Sequence, residues 1–366
     1  MTRGILVPLL AVGVLAGPLR AAIPAHKAKH SKKRTTTAVR KHRVKAGPQI
    51  DPTIGDDVDG EDLVIRRAAV NALGSVNGSV VVVDPTNGRI LTIVNQKLAL
   101  KSGFTPCSTI KLVTSVAALN EGVIDADTKV AITRRTRFNL TTALARSNNQ
   151  YFARLGNTLG FERVTYYAQM LGLGEKAGLN IADEQPGVIP TEPPKVGGVG
   201  MMTSFGEGFL VTPLELAALV SAIANNGTLY YLQYPRSEAE IQEFAPQVKR
   251  TLDMPESRLS DIRTGMKGAV DFGTARRIGF DPEDPILGKT GTCTDFRASS
   301  HMGWFGSFNE VNRHQLVVVV MLTGDHRVSG PVAAGVAGAI YRSLAEQSYF
   351  AANTNATDDA GLVSAR

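Results

Sequence analysis

The sequence predicts an α+β fold in which one sheet is assembled from both ends of the chain and a helical subdomain lies beside it. Three observations carry this. Two strand-like runs joined by a turn open the patterned body, a long helical stretch broken by glycines fills its middle, and three further apolar runs with a helix close it.

Residues 62–73 space their apolar side chains as a helix does. Residues 79–84 and 89–94 read as strands around Pro85, Thr86, Asn87 and Gly88, a turn-forming set. Residues 108–121 form an amphipathic helix preceded by Pro106 and stopped near Gly122. Residues 140–171 are mostly helical. Thr212 and Pro213 open another helix as N-cap and first helical residue, and Asn226-Gly227 ends it. Residues 285–294, 302–308 and 316–322 read as strands, and residues 331–344 as the closing helix. A cleft between sheet and helical subdomain is the natural place for a site.

Charge separates the ends from the body. The 366 residues carry a net charge of +7, but residues 26–45 alone hold nine Lys or Arg and no acid, and from residue 46 onward 29 basic residues face 33 acidic ones. The body is slightly acidic, which argues against a nucleic-acid enzyme. Residues 1–25 have the layout of a secretory signal: Arg3, an apolar run from Ile5 to Ala16, then small residues. That run of about 12 residues is shorter than the roughly 20 of a spanning helix. Its small-residue cleavage site is poorly formed, so removal and retention as an anchor both stay open; either way the protein is expected outside the cytoplasm, in the periplasm or on the outer face of the membrane. Residues 26–59 read as a basic disordered linker, either a solvated spacer or a peripheral contact to an anionic envelope surface. Residues 347–366 read as a second loose tail. No metal or cofactor is expected: the six histidines are scattered, and Cys107 and Cys293 lack ligand-spaced partners.

Three short motifs carry chemistry. In Ser108-Thr109-Ile110-Lys111 a helical spacing of three puts the amine on the face of the hydroxyl, where a lysine with a lowered pKa can act as base. Chance alone yields such a match about once in a chain of this length. Ser147 and Asn149, two apart on one loop, can point the same way, one to relay a proton and one to hold a carbonyl; a turn or helix cap, which Ser and Asn favour, is the alternative. Lys289, Thr290, Gly291 and Thr292 lie on a predicted strand, with the glycine allowing close approach of a ligand; a lysine guarding an edge strand is the alternative.

Taken in order, these motifs resemble the active-site set of the penicillin-binding proteins and serine β-lactamases. Residues 78–91, 171–178, 184–190, 205–213 and 303–305 resemble further segments of the penicillin-binding transpeptidase domain, and the likeness runs from about residue 60 to 346. It implies a β-lactamase/transpeptidase-like fold: an antiparallel sheet flanked by helices plus an all-helical subdomain. The implied activity is a D,D-transpeptidase that cross-links peptidoglycan stem peptides and is acylated by β-lactam antibiotics. Ser108 would be the nucleophile, Lys111 its general base, Ser147 a proton relay assisted by Lys289, and Asn149 the holder of the substrate amide. Thr290, Gly291 and Thr292 would bind the terminal carboxylate, and the backbone N–H groups of Ser108 and Thr292 would form the oxyanion hole.

The sequence departs from the family in two ways. Little chain precedes the domain, so glycan-polymerising and pedestal domains are not expected. Cys107 stands where a small residue is usual, and Cys293 follows Thr292. With both N–H groups on one oxyanion, the flanking cysteines would fall near disulfide range, as in class A carbapenemases; two buried free thiols are the alternative. Hydrolase readings stay open beside the transferase. A β-lactamase lacks its water-activating segment here, a D,D-carboxypeptidase differs only in the acceptor, and a sensor or wall-binding module would need membrane segments or lost motif residues that are not seen.

Overall fold

The computed structural model describes residues 51–352 apart from 102, 180, 280–284, 296–298 and 311–314. The expected signal, the basic run up to residue 50 and the tail from residue 353 lie outside the described residues.

Five strands make one antiparallel sheet: β1 (Gly78–Val83), β2 (Ile90–Val94), β3 (Ile286–Asp295), β4 (Ser300–Asn309) and β5 (Val317–Gly324). Their order is β2-β1-β5-β4-β3, so one sheet is assembled from both ends of the chain, as the sequence predicts, with the N-terminal pair joining the C-terminal trio at the β1–β5 seam. Both faces of the sheet are covered. Val81 and Val83 of β1, with Val317, Val319 and Met321 of β5, enter one apolar core; Val80, Val82, Val318, Val320 and Leu322 enter the other. Two buried faces explain why these strands read as unbroken apolar runs.

The principal helices are α1 (Leu63–Leu73), α2 (Lys111–Asn120), α3 (Leu140–Ala145), α4 (Asn149–Leu159), α5 (Phe161–Met170), α6 (Gly198–Phe205), α7 (Pro213–Ala224), α8 (Glu256–Asp271) and α9 (Gly330–Glu346). Helices α1 and α9 share the second core, while α2 and α7 share the first. All residues of α7 are buried. Its start is a capping box: Thr212 Oγ1 accepts from Glu215 N at 3.0 Å and Glu215 Oε2 accepts from Thr212 N at 2.7 Å. Glu215 Oε1 also accepts from Gly174 N and Gly187 N, at 2.8 and 2.9 Å, which ties the chain around residues 174–187 to α7.

Two boundaries and one helix differ from the sequence reading. Residues 51–59, grouped there with the linker, pack on the body: Asp56 accepts from Asn95 N and Gln96 N and pairs with Arg66 at 2.8 Å. Composition could not reveal that partner, because Arg66 is a buried cation on α1. At the other end the body continues past residue 346 into the short helix Tyr349–Ala352, where Phe350 is buried and Tyr349 donates to Asp62 at 2.9 Å. Helix α8 was not anticipated, since Gly265 and Gly268 interrupt its pattern. A Cβ at Gly265 would sit 2.7 Å from a Leu144 side-chain carbon, so this glycine permits α8 to press on α3.

Candidate active site

After Pro106 the chain turns through a 3₁₀ segment, Cys107–Ile110, directly into α2. Ser108 is half-buried in this turn, and Lys111, fully buried at the first position of α2, lies beneath it. Lys111 Nζ is 2.6 Å from Ser108 Oγ, 3.2 Å from Ser147 Oγ and 2.7 Å from Asn149 Oδ1. These contacts span a helix start and a loop 36 and 38 residues away.

That loop joins α3 to α4. Asn148 caps α4, accepting from Tyr151 N at 2.8 Å, so the turn chemistry anticipated for this motif belongs to Asn148. Ser147 takes a left-handed backbone, φ 52°, and Asn149 opens the helix. The cap and the site are thus one feature, with the middle residue fixing the turn and its neighbours facing Lys111.

The third motif arrives on β3. Although β3 is a sheet edge, Lys289 is fully buried; its Nζ donates to Ser147 Oγ at 2.9 Å and to Thr290 O at 2.8 Å. It is therefore no solvent-facing guard of an edge. Gly291 serves a different purpose from the one expected. A Cβ there would lie 2.9 Å from Pro106 O and 3.3 Å from Cys107 Cβ, so the glycine admits the turn that carries Ser108 against the strand. Gly291→Ala is expected to cost about 1–3 kcal/mol, because the nearest obstacle is backbone, as denaturant titration against the wild type would show.

Cys107 and Cys293 are joined, with Cα atoms 5.5 Å apart. Their neighbours Ser108 and Thr292 are thereby brought to one mouth. Thr292 is exposed and its Oγ1 accepts from Gly330 N, the first residue of α9, at 2.8 Å. Thr290 is buried, and its hydroxyl lies 2.5 Å from that of Thr274. Thr274 escaped the sequence reading. It follows α8 without a motif of its own, and only its backbone bond to Ala145 O, at 3.1 Å, ties it to the helix leading into Ser147.

Burial drives the electrostatics. The Lys111 amine is pushed well below its ordinary pKa by loss of water and by the neighbouring charge of Lys289. Burial lowers Lys289 to about 7. A neutral Lys111 has two N–H bonds and one lone pair, which match its three contacts: it can donate to Asn149 and Ser147 while accepting the Ser108 proton. Both lone pairs of Ser147 Oγ then receive amine N–H groups, which leaves its own O–H free to point into the cleft.

The depressed Lys289 links stability to pH. In the unfolded chain it holds its proton to about 10.5 and in the folded protein only to about 7, so the burial penalty is full below pH 7 and fades as pH rises toward 10.5. Stability should therefore gain a few kcal/mol from this group across that window, and Lys289→Met should flatten the rise. Denaturant midpoints of both proteins from pH 7 to 10 check it; parallel profiles would contradict it.

Comparison with known proteins adds to this geometry. The family model of the penicillin binding protein transpeptidase domain matches residues 78–342. The chain belongs to that family. Stage V sporulation protein D of Bacillus subtilis is 30% identical over 284 residues, covering 69% of this chain and 43% of the relative. Peptidoglycan D,D-transpeptidase MrdA of Acinetobacter baumannii is 24% identical over 303 residues, covering 66% and 45%. The chain spans less than half the length of these curated relatives. The D,D-transpeptidase domain of a peptidoglycan glycosyltransferase from Eggerthella lenta superposes with a TM-score of 0.64 at 20% identity, over 78% of this chain and 82% of that one. Pseudomonas aeruginosa PBP2 in complex with WCK 5153 does so at 0.65 and 21%, over 78% and 77%. These two show that the penicillin-binding transpeptidase fold is shared.

Proposed function

We propose that the protein is an exported peptidoglycan D,D-transpeptidase that works through a Ser108 acyl-enzyme and is acylated by β-lactams at the same hydroxyl. The contact of Lys111 Nζ with Ser108, Ser147 and Asn149 at 2.6, 3.2 and 2.7 Å supports this reading most strongly. Lys111 takes the Ser108 proton as Oγ attacks the carbonyl between two terminal D-alanines. The N–H groups of Ser108 and Thr292 stabilise the oxyanion, a contribution of about 3 kcal/mol in comparable sites. Ser147 passes its proton to the departing D-alanine nitrogen and is resupplied by Lys111, while Lys289 holds it in place. Asn149 orients the donor amide, and Thr290 and Thr292 receive the terminal carboxylate, while Gly291 admits the Ser108 turn against β3. An acceptor amine then attacks the ester carbonyl, its proton returning by the same relay, and Ser108 is released. The Cys107–Cys293 bond forms in the oxidising space outside the cytoplasm. The basic run at residues 26–45 would rest against an anionic envelope surface.

A stem peptide ending in D-Ala-D-Ala, supplied with an amine acceptor, tests the reading. The cross-linked dipeptide should appear together with free D-alanine, and Ser108→Ala should yield neither. Release of D-alanine without cross-link would make the enzyme a carboxypeptidase, and continuous turnover of nitrocefin would make it a β-lactamase.

A further inference from the structure

A cleft of about 490 Å³ is lined by Thr105, Thr292 and Cys293, the last of which is bonded to Cys107, the residue before Ser108. Val188, Phe209 and Leu210 give it apolar walls. Glu207 also lines it, and the Glu207 carboxylate makes no ion pair or hydrogen bond among the described residues. Past Glu207 the groove continues into a second space of about 500 Å³ bounded by Pro193, Pro194 and Lys195. The other charged groups along this path are Glu192 and Lys195 in the second space and Asp295, which has interactions of its own, in the first.

The position of Glu207 is fixed by the turn that carries it. Phe209 N donates to Gly206 O at 3.1 Å, and the flanking Gly206 and Gly208 take φ of 77° and 86°, values that other residues rarely adopt. Gly206 is also pressed against the nucleophile's turn, since a Cβ there would lie 2.6 Å from Pro106 Cγ. The carboxylate therefore stands on a turn seated against Pro106, which leads into Cys107 and Ser108.

We propose that Glu207 binds the side-chain ammonium of the acyl-donor peptide, so that the enzyme selects donors carrying a free amine. The inference rests on the transpeptidase reading. The leaving D-alanine occupies the Thr290 and Thr292 end, and the acyl chain runs from the Ser108 ester into the cleft. Methylene groups of a diamino-acid side chain cover the apolar walls, and the ammonium at their tip donates to Glu207 in a charge-assisted hydrogen bond.

The test compares two thioester or peptide donors that differ only in acetylation of the side-chain amine, reading the rate of Ser108 acylation by intact mass. The free-amine donor should react about tenfold faster, with the ratio falling as salt rises. Glu207→Gln should collapse the ratio toward one, Glu207→Lys should invert it, and Lys195→Ala should leave it in place. Equal rates for both donors in the wild-type protein, or an unchanged ratio in Glu207→Lys, would overturn the assignment of Glu207 alone. Failure of both donors to acylate Ser108 would instead remove the transpeptidase reading and this inference with it.

Discussion

Lys111→Met lowers the rate of Ser108 acylation by about 10³-fold or more while leaving the protein folded, as a stopped-flow or quench time course with a chromogenic β-lactam would show. General-base assistance alone is worth about 10²–10⁴. Beyond the proposed proton transfer, the Lys111 Nζ also touches Ser147 and Asn149. Its loss frees the relay hydroxyl and the amide at once. The fold should tolerate the change, since methionine fills much of the same space and a buried, desolvated amine is itself unfavourable. A residual rate within tenfold of the wild type would show that another base serves Ser108.

Breaking the Cys107–Cys293 link should be the largest single loss of stability. The bond closes a loop of 186 residues, and constraint of the unfolded chain by a loop of that size is worth about 3–5 kcal/mol. In a domain of this size that corresponds to a fall in Tm of roughly 10 °C. The Cys107→Ser/Cys293→Ser double variant should show this fall by calorimetry. It should also acylate more slowly, because the bond flanks the two backbone groups assigned to the oxyanion. A variant that melts and acylates like the wild type would reduce the bond to an accessory.

Much of the fold was legible because its signals are local. The Thr212-Pro213 start of α7, the Pro85 to Gly88 turn and the paired apolar faces of β1 and β5 all declare themselves within a few residues. The three motifs were legible for the same reason: Ser108 and Lys111 are one helical turn apart, and Ser147 and Asn149 flank a cap. What the sequence hid depends on distant partners. Asp56 looks like part of a charged linker until Arg66 is placed beside it. Gly291 looks like a ligand-facing glycine until Pro106 is seen against it, and Thr274 has no meaning until its hydroxyl meets that of Thr290. Helix α8 was hidden by glycines that are there for close packing with α3.

All of the proposed chemistry rests on one hydroxyl, Ser108, held 2.6 Å from a buried amine. The most direct measurement is intact-protein mass spectrometry after incubation with benzylpenicillin, followed by peptide mapping of the adduct. A single acyl adduct on the peptide containing Ser108, absent from Ser108→Ala, is the expected result. An adduct on any other residue, or one that persists in Ser108→Ala, would contradict the account.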